Sequence, residues 1–212
     1  LGVVFGQIKK ADRVKPSGQL KLVQVASFRE KKGQNDALEA LSIVSKECPN
    51  VHLTFAGPED DGPVFLELKR RVALLGVEDK VTFVGGIESN MLYEFLSKFD
   101  VFIHPSRYAS NRDCEGGAPI VILDAQATGM PVISTTHCDI PSEVVHNSTG
   151  LLTPEARPNE LANSLRTFYK MDSKQYKSYR YQAREHVQIH YDIEVNIKHL
   201  ENLYKLVLET RK

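Results

Sequence analysis

Two segments of this 212-residue chain carry residue types that could hold a phosphate group. The first, residues 27–33, ends in Lys32 and Gly33 directly before a predicted helix. Free N–H groups at a helix N-terminus attract an anion, Gly33 lets the backbone come close to it, and Lys32 adds a full positive charge. A solvated turn has the same composition, and the segment is not a Walker P-loop, because G-x4-G-K-[ST] is absent.

The second segment, residues 113–119, is a glycine-rich loop that opens an apolar predicted helix. Pro119 suits the first turn of that helix, where no N–H is needed for an intrahelical hydrogen bond. The free N–H groups predicted to hold a pyrophosphate are those of Gly117, Ala118 and Ile120.

Two acids accompany this loop. Glu115 precedes it, and Asp124 follows Pro119 by about one and a half helical turns. A carboxylate accepts paired hydrogen bonds from neighbouring hydroxyls, so both acids suit a sugar or a ribose. A capped helix with surface acids is the alternative interpretation of the same residues.

Alternating elements predict the scaffold that positions these segments. Short apolar runs predict strands at residues 20–25, 51–56, 81–84, 101–104, 131–135 and 150–153. Helical spacing separates the strands, and this alternation predicts an α/β fold with a Rossmann-like parallel sheet of about six strands flanked by helices. Ligands of such sheets bind outside the carboxyl ends of the strands, where both segments lie.

The same patterns predict the domain organisation. We expect residues 1–19 to be a linker or arm from a preceding domain and residues 20–170 to form the Rossmann-like domain. Residues 171–212 are predicted as C-terminal helices, broken near residues 171–173 and 191–192, that pack on this domain or on a preceding one.

Composition excludes several classes of function. Lys plus Arg and Asp plus Glu each number 27, so a zero net charge argues against nucleic-acid binding. Three widely spaced cysteines, without a C-x2-C pattern, predict reduced thiols and a cytoplasmic location.

No apolar run approaches the roughly 18 residues of a membrane helix. His186 and His190 lie four apart without an evident third ligand, and no D-x-D pattern occurs, so we predict no metal site.

Several motifs, in the same order, resemble those of glycosyltransferase family 4, the group 1 glycosyltransferases. Residues 115–124 and 125–132 resemble its E-x7-E motif and the A-x-A-x-G-x-P-V run that follows. Lys32-Gly33, residues 100–106 and residues 150–152 fall where the family has K-G, D-V-F-V-x-P-S and G-L-L. The resemblance covers about residues 20–169.

The resemblance implies the C-terminal, donor-binding half of a GT-B fold. The implied reaction transfers a hexose-type sugar, with retained configuration, from a nucleotide diphosphate sugar to a hydroxyl acceptor in polysaccharide or glycoconjugate biosynthesis. No cofactor or metal is implied. The acceptor, a sugar or lipid-linked sugar, would bind a separate N-terminal domain, without which this chain is expected to be inactive. The full-length protein could still associate peripherally with a membrane.

The resemblance also assigns roles to residues. The implied catalytic residues are Lys32, which contacts the diphosphate, and Glu115, which holds hydroxyls of the donor sugar. Asp124 would bind the ribose, and the loop after Val84 would border the base. The implied donor-binding residues are Ser27, Arg29, Lys32, Gly33, Val84, Gly85, Glu115, Gly116, Gly117, Ala118, Pro119 and Asp124.

Two features depart from the family pattern. The family arginine five residues before the lysine is replaced by Ser27, and Arg29 is the candidate substitute. The two acids are separated by eight residues instead of seven, and the second is Asp124, whose side chain is roughly 1.5 Å shorter than that of Glu.

Two alternatives stay open at this point. One is a regulatory module that binds a nucleotide or phosphate without transfer chemistry. The other is a GT-B-like sugar-nucleotide epimerase, which product analysis would distinguish from a transferase.

Overall fold

A parallel sheet forms the centre of the protein. The computed structural model describes residues 2–14, 17–58 and 62–209. Within them one six-stranded sheet has the order β3-β2-β1-β4-β5-β6, with all neighbours parallel. The strands are β1 (Leu20–Val25), β2 (Val51–Ala56), β3 (Val81–Val84), β4 (Val101–His104), β5 (Val132–Thr135) and β6 (Gly150–Thr153). The predicted Rossmann-like sheet is confirmed.

Helices connect and cover the strands. They are α1 (Gln34–Ser45), α2 (Pro63–Leu75), α3 (Leu92–Leu96), α4 (Ile120–Ala127), α5 (Ile140–Glu143), α6 (Pro158–Lys170), α7 (Ser173–His190) and α8 (Ile193–Glu209). The predicted breaks near residues 171–173 and 191–192 are confirmed by the ends of α6 and α7. No helix in the described part of the chain is long and apolar enough to cross a membrane.

The direction of sheet growth reverses between β1 and β4. The chain first builds β1, β2 and β3 outward, then crosses back to place β4 on the other side of β1, with Leu22 beside Val101 and Val23 beside Phe102. A crevice opens outside the carboxyl ends of the strands at such a reversal. The loops after β1 and β4, which carry Lys32 and Glu115, therefore face each other there.

Side-chain alternation fills both faces of the sheet. Leu20 and Leu22 of β1 pack into the cluster that includes residues of α1 and α6, whereas Val23 packs with Phe102 and Ile122 on the opposite face. Successive residues of a strand point to opposite faces, so strands covered on both sides are mostly apolar. Burial on both faces holds the strand ends, and hence the loops, in fixed positions.

Residues 2–14, predicted as part of a linker or arm, pack against the domain. Val3, Phe5 and Ile8 form a buried cluster with Leu123 and Ala127 of α4 and with Val187 of α7. Whether residues 1–19 also connect to a preceding domain stays a prediction.

Candidate functional site

Lys32 and Glu115 meet at the crevice. Lys32 Nζ lies 2.7 Å from Glu115 Oε2, although the two residues are 83 positions apart. The Glu115 side chain is only 6% exposed and that of Lys32 17%. Strand order explains the contact. β1 and β4 are neighbours in the sheet, Lys32 follows β1 in the chain, and Glu115 follows β4.

Gly33 permits the close approach of these two loops. Its φ angle is 66°, and a Cβ at this position would lie 1.9 Å from the carbonyl oxygen of Pro105. A side chain would thus face both an unfavourable backbone conformation and a clash with backbone. Gly33 is required here by the loop after β4 whether or not a ligand is bound.

The carboxylate of Glu115 is held ionised. Ser106 Oγ donates a 2.7 Å hydrogen bond to Oε1, and His104 Nε2 lies 3.5 Å from the same oxygen. Burial favours the protonated form, but His104, Lys32 and Ser106 outweigh it and lower the pKa of Glu115 to about 2. Burial also lowers the pKa of His104, which favours its neutral form. Glu115 therefore accepts hydrogen bonds near neutral pH and does not serve as an acid.

The loop before α4 offers free hydrogen-bond donors. The N–H groups of Gly117, Ala118 and Ile120 donate to no group in the described part of the chain. Pro119 is the N-cap of α4 and the helix begins at Ile120, one residue later than predicted. Beside the loop lies a cavity of about 370 Å³ that is lined by Gly117, Ala118, Asp139, Ser142, Glu143 and Tyr191. These amides and the cavity can accept an anion and the group attached to it.

Asp124 is placed near this loop but already has a partner. The Tyr93 hydroxyl donates a 2.9 Å hydrogen bond to its Oδ1. Burial raises the pKa of Asp124, and the Tyr93 contact partly offsets this rise. A ribose hydroxyl would have to use Oδ2 or displace Tyr93.

The other predicted site residues form no hydrogen bond or ion pair with the side chains of Lys32 and Glu115 in the described part of the chain. Val84 ends the edge strand β3, two strands or roughly 10 Å from β1, and its carbonyl accepts from the N–H of Gly57, while Gly85 is exposed. Ser27 and Arg29 are exposed, and within the described residues their side chains form no hydrogen bond or ion pair. Whether Arg29 replaces the family arginine stays a prediction.

Two residues outside the predicted site residues support Glu115. The sequence placed His137 in a ligand-facing loop as a candidate contact to the donor's sugar or phosphate, and it gave Glu155 no role. His137 Nε2 accepts the N–H of Glu115 at 3.2 Å, and Glu155 Oε1 lies 2.8 Å from His137 Nδ1. His137 is fully buried and follows β5, and Glu155 follows β6. Their positions just after strands were the available signal, because the ends of parallel strands share one edge of the sheet.

Two cysteines lie close to His137, next to Gly116. The side chains of Cys114, His137 and Cys138 offer ligand atoms that all lie within 4.8 Å of one another. Burial raises the pKa of Cys138, and the backbone N–H of Gly116 is among the groups that counter this. The wide sequence spacing of the cysteines gave no sign of this cluster.

Comparisons with known proteins agree with this architecture. The family model for glycosyl transferases group 1 matches residues 7–186. The putative colanic acid biosynthesis glycosyltransferase WcaL of Escherichia coli K12 is 30% identical over 188 residues, which are 89% of this chain and 45% of that protein. The chain spans between about a third and a half of the curated relatives it matches.

Two solved structures show the same fold. The C-terminal domain of the group 1 glycosyl transferase LpcC from Francisella tularensis has a TM-score of 0.75 at 21% identity, covering 91% of this chain and 100% of that one. Anabaena HepE, in complex with UDP-glucose, also has a TM-score of 0.75, at 23% identity, covering 88% of this chain and 49% of that one.

The six-stranded sheet, with loops converging at its reversal point, defines a Rossmann-like domain of the type found in the C-terminal half of GT-B glycosyltransferases. With a family match over residues 7–186, the chain belongs to the group 1 glycosyltransferases.

Proposed function

We propose that this chain is the donor-binding domain of a retaining glycosyltransferase. The enzyme would transfer a hexose-type sugar from a nucleotide diphosphate sugar to a hydroxyl acceptor in polysaccharide or glycoconjugate biosynthesis. The observation that carries the proposal is the contact of Lys32 with Glu115, directly before a loop whose N–H groups of Gly117, Ala118 and Ile120 have no partner in the described part of the chain. The name of WcaL and the UDP-glucose complex of HepE support the choice of pathway and ligand class.

Charge explains the role of each group. The leaving nucleoside diphosphate gains negative charge as the bond to the sugar breaks, and donors fixed in advance stabilise that charge. The Lys32 ammonium has three N–H donors, so it can keep its hydrogen bond to Glu115 and still donate to a phosphate oxygen. The amides of Gly117, Ala118 and Ile120 supply further donors on the other side.

Glu115 orients the sugar in this proposal. An ionised carboxylate accepts hydrogen bonds only, and a pair of sugar hydroxyls matches its two oxygens. Ser106 and Lys32 hold the carboxylate in place, so the sugar hydroxyls meet an acceptor whose position is already set. Glu115 would therefore act by binding and orientation, without proton transfer.

The acceptor would bind a second domain. Two facts support this: the chain spans at most half of the relatives' length, and α8 has no buried residue in its described part. Apolar side chains of α8 such as Ile197, Leu200 and Leu203 are about half exposed, as expected of a helix covered by another domain. The chain by itself would then bind the donor without transferring it.

Calorimetry against UDP, GDP and ADP sugars tests the donor assignment. With only one wall of the cleft present, we expect about 4–8 kcal/mol of binding, a Kd in the micromolar to millimolar range. Since no cation is needed between protein and diphosphate, binding should persist in EDTA. Absence of binding to every nucleotide at millimolar concentration would refute the donor site, and loss in EDTA with recovery on Mg²⁺ would refute metal independence.

A further inference from the structure

Three ligand-type side chains converge beside the loop that carries Glu115. Cys114 precedes Glu115, while His137 and Cys138 follow β5, and one ligand atom from each lies within 4.8 Å of the others. Cys138 Sγ is 3.2 Å from His137 Nε2. Two sulfur atoms and one imidazole nitrogen form a donor set that suits a soft or borderline divalent cation.

The spacing of these atoms is close to that of a zinc site. Bond lengths of about 2.3 Å for Zn–S and 2.0–2.1 Å for Zn–N place tetrahedral ligand atoms roughly 3.5–3.8 Å apart. The observed 3.2 Å contact lies below this range and the 4.8 Å limit above it. Side-chain shifts of about 1 Å or less would therefore bring all three atoms to bonding distance.

His137 is already oriented as a metal ligand. Its Nδ1 lies 2.8 Å from the carboxylate of Glu155, and its Nε2 accepts the N–H of Glu115, so the proton resides on Nδ1 and the lone pair on Nε2. A carboxylate on the outer nitrogen is the usual arrangement behind a metal-bound imidazole. The ring is fully buried, so its direction is set by packing as well.

An ion can reach the cluster. Cys114 and Cys138 are partly exposed, whereas Cys48 is fully buried in the hydrophobic core. Cys48 lies outside the cluster, so its replacement is a control for the effect of losing a cysteine.

We propose that Cys114, His137 and Cys138 bind one soft divalent cation of the Zn²⁺ class, with Glu155 as the residue that positions His137. The fourth coordination position is left to water or a ligand oxygen. This departs from the expectation of no metal site, which considered only short motifs along the sequence. The proposed ion is held by thiolates and is distinct from a Mg²⁺ ion that would bridge protein and diphosphate.

Metal binding has a consequence for the donor loop. The single lone pair of His137 Nε2 cannot both accept the N–H of Glu115 and bind the cation. Occupancy must therefore release the backbone of Glu115 from His137. The amide resonance of Glu115 reports this step directly.

Cobalt and zinc titrations of the reduced, chelator-stripped chain test the proposal. Co²⁺ should give a thiolate-to-metal charge-transfer band and visible bands of tetrahedral intensity, with one ion per chain, and Zn²⁺ should displace it. Cys114→Ser and Cys138→Ser should each weaken Zn²⁺ binding at least tenfold, measured by competition with a chromophoric chelator. Cys48→Ala should bind Zn²⁺ as the unmodified chain does.

Two further measurements test the role of His137 without removing its buried ring. Glu155→Gln should weaken Zn²⁺ binding roughly 10- to 100-fold while keeping the cobalt spectrum of two thiolates. The Glu115 amide resonance should shift during the Zn²⁺ titration. A reduced chain without a thiolate–cobalt band, cysteine variants with unchanged affinity, or a Glu115 amide that does not move would each overturn the three-residue site. No nucleotide is used, so the result is independent of the donor assignment.

Discussion

At the scale of single residues, the crevice is electrostatically balanced before any ligand binds. Glu115 neutralises Lys32 at 2.7 Å, and the loop amides supply partial positive charge beside the pair. A diphosphate would share Lys32 with Glu115 and would depend on the fixed amides for the rest of its binding. Lys32 should therefore account for a part, and not all, of the affinity.

Replacing Lys32 tests this division. Lys32→Ala should weaken nucleoside diphosphate binding by about 1.5–3 kcal/mol, typical of a charge-assisted hydrogen bond. Lys46→Ala is the control, because Lys46 is exposed at the opposite end of α1 and its loss changes the net charge equally. Calorimetry gives the affinities and thermal unfolding checks the fold. Unchanged affinity with reduced stability would assign Lys32 a structural role.

Glu143 is a second residue with an unusual environment. It is 1% exposed, and neither carboxyl oxygen has a hydrogen-bond partner in the described part of the chain. Burial and the nearby charges of Asp124 and Asp139 raise the pKa of Glu143 to about 8. The folded protein therefore keeps this proton in a pH range where the unfolded chain, with a pKa of about 4.3, has released it.

This difference predicts a pH-dependent stability. Between about pH 4.5 and 8 the folded state binds more protons than the unfolded state. Glu143 therefore lowers the free energy of unfolding progressively as pH rises through this range, and the loss stays constant above about pH 8. From pH 5 to 9 the unmodified chain should lose up to about 4 kcal/mol relative to Glu143→Gln, measured by urea unfolding. Glu78→Gln, which removes the same charge from an exposed position, is the control. Parallel profiles for the unmodified chain and Glu143→Gln would contradict the raised pKa.

At the scale of elements, the N-terminal segment holds the ends of two helices. Buried Arg13 donates to the carbonyls of Leu96 at 2.9 Å, Phe99 at 2.7 Å and Thr128 at 2.7 Å, at or just beyond the C-termini of α3 and α4. Helix C-termini carry unpaired carbonyls and partial negative charge, which a guanidinium neutralises. Arg180 of α7 in turn donates to the carbonyl of Arg13 and fixes the segment against α7.

Removing Arg13 should therefore destabilise the domain. Arg13→Ala is expected to lower the free energy of unfolding by roughly 2–4 kcal/mol, because the carbonyls of Leu96, Phe99 and Thr128 lose charge-assisted hydrogen bonds and those of Leu96 and Thr128 keep only a backbone donor. Arg157→Ala removes an equal charge from an exposed position and should cost less than about 0.5 kcal/mol. Urea unfolding of both variants is the measurement. Equal small effects would show that the segment behaves as a loosely attached arm.

At the scale of the whole molecule, the chain spans no more than half the length of relatives such as WcaL, so we propose that the donor site has only one of its walls here. Catalysis of transfer requires donor and acceptor in near contact, and that alignment contributes roughly 7–11 kcal/mol to lowering the barrier. Open to water, the diphosphate also gains less from Lys32 and the amides. We propose that a second domain closes the crevice and binds the acceptor.

The chain alone should therefore bind donor without measurable sugar transfer. Addition of the companion N-terminal domain, fused or in trans, should restore transfer, and Glu115→Ala should then reduce it. Product analysis by mass spectrometry is the readout. Binding without turnover after this addition would favour a regulatory module, an epimerised sugar nucleotide would favour an epimerase, and robust transfer by the isolated chain would show that the acceptor site lies within it.

Local sequence determined most of the scaffold and several site residues. Short apolar runs, helical spacing and the glycines and prolines between them report backbone preferences over a few residues, which is why strands β1 to β6 were predictable. Because the strands had to be parallel, Lys32 and residues 113–119 were expected at one edge of the sheet. The ordered motifs then indicated the group 1 glycosyltransferases, a family that the match over residues 7–186 confirms.

Tertiary structure decided the contacts between distant segments. Strand order brings Lys32 to Glu115, places His137 under the backbone of Glu115 and gathers Cys114 with Cys138, and it separates Val84 from this group. Arg13, which the sequence places in a basic linker, is buried because carbonyls at the ends of α3 and α4 accept its guanidinium, while Arg180 of α7 donates to its own carbonyl. Such contacts depend on which strands are neighbours and where side chains point, and neither is encoded in the local periodicity of the chain.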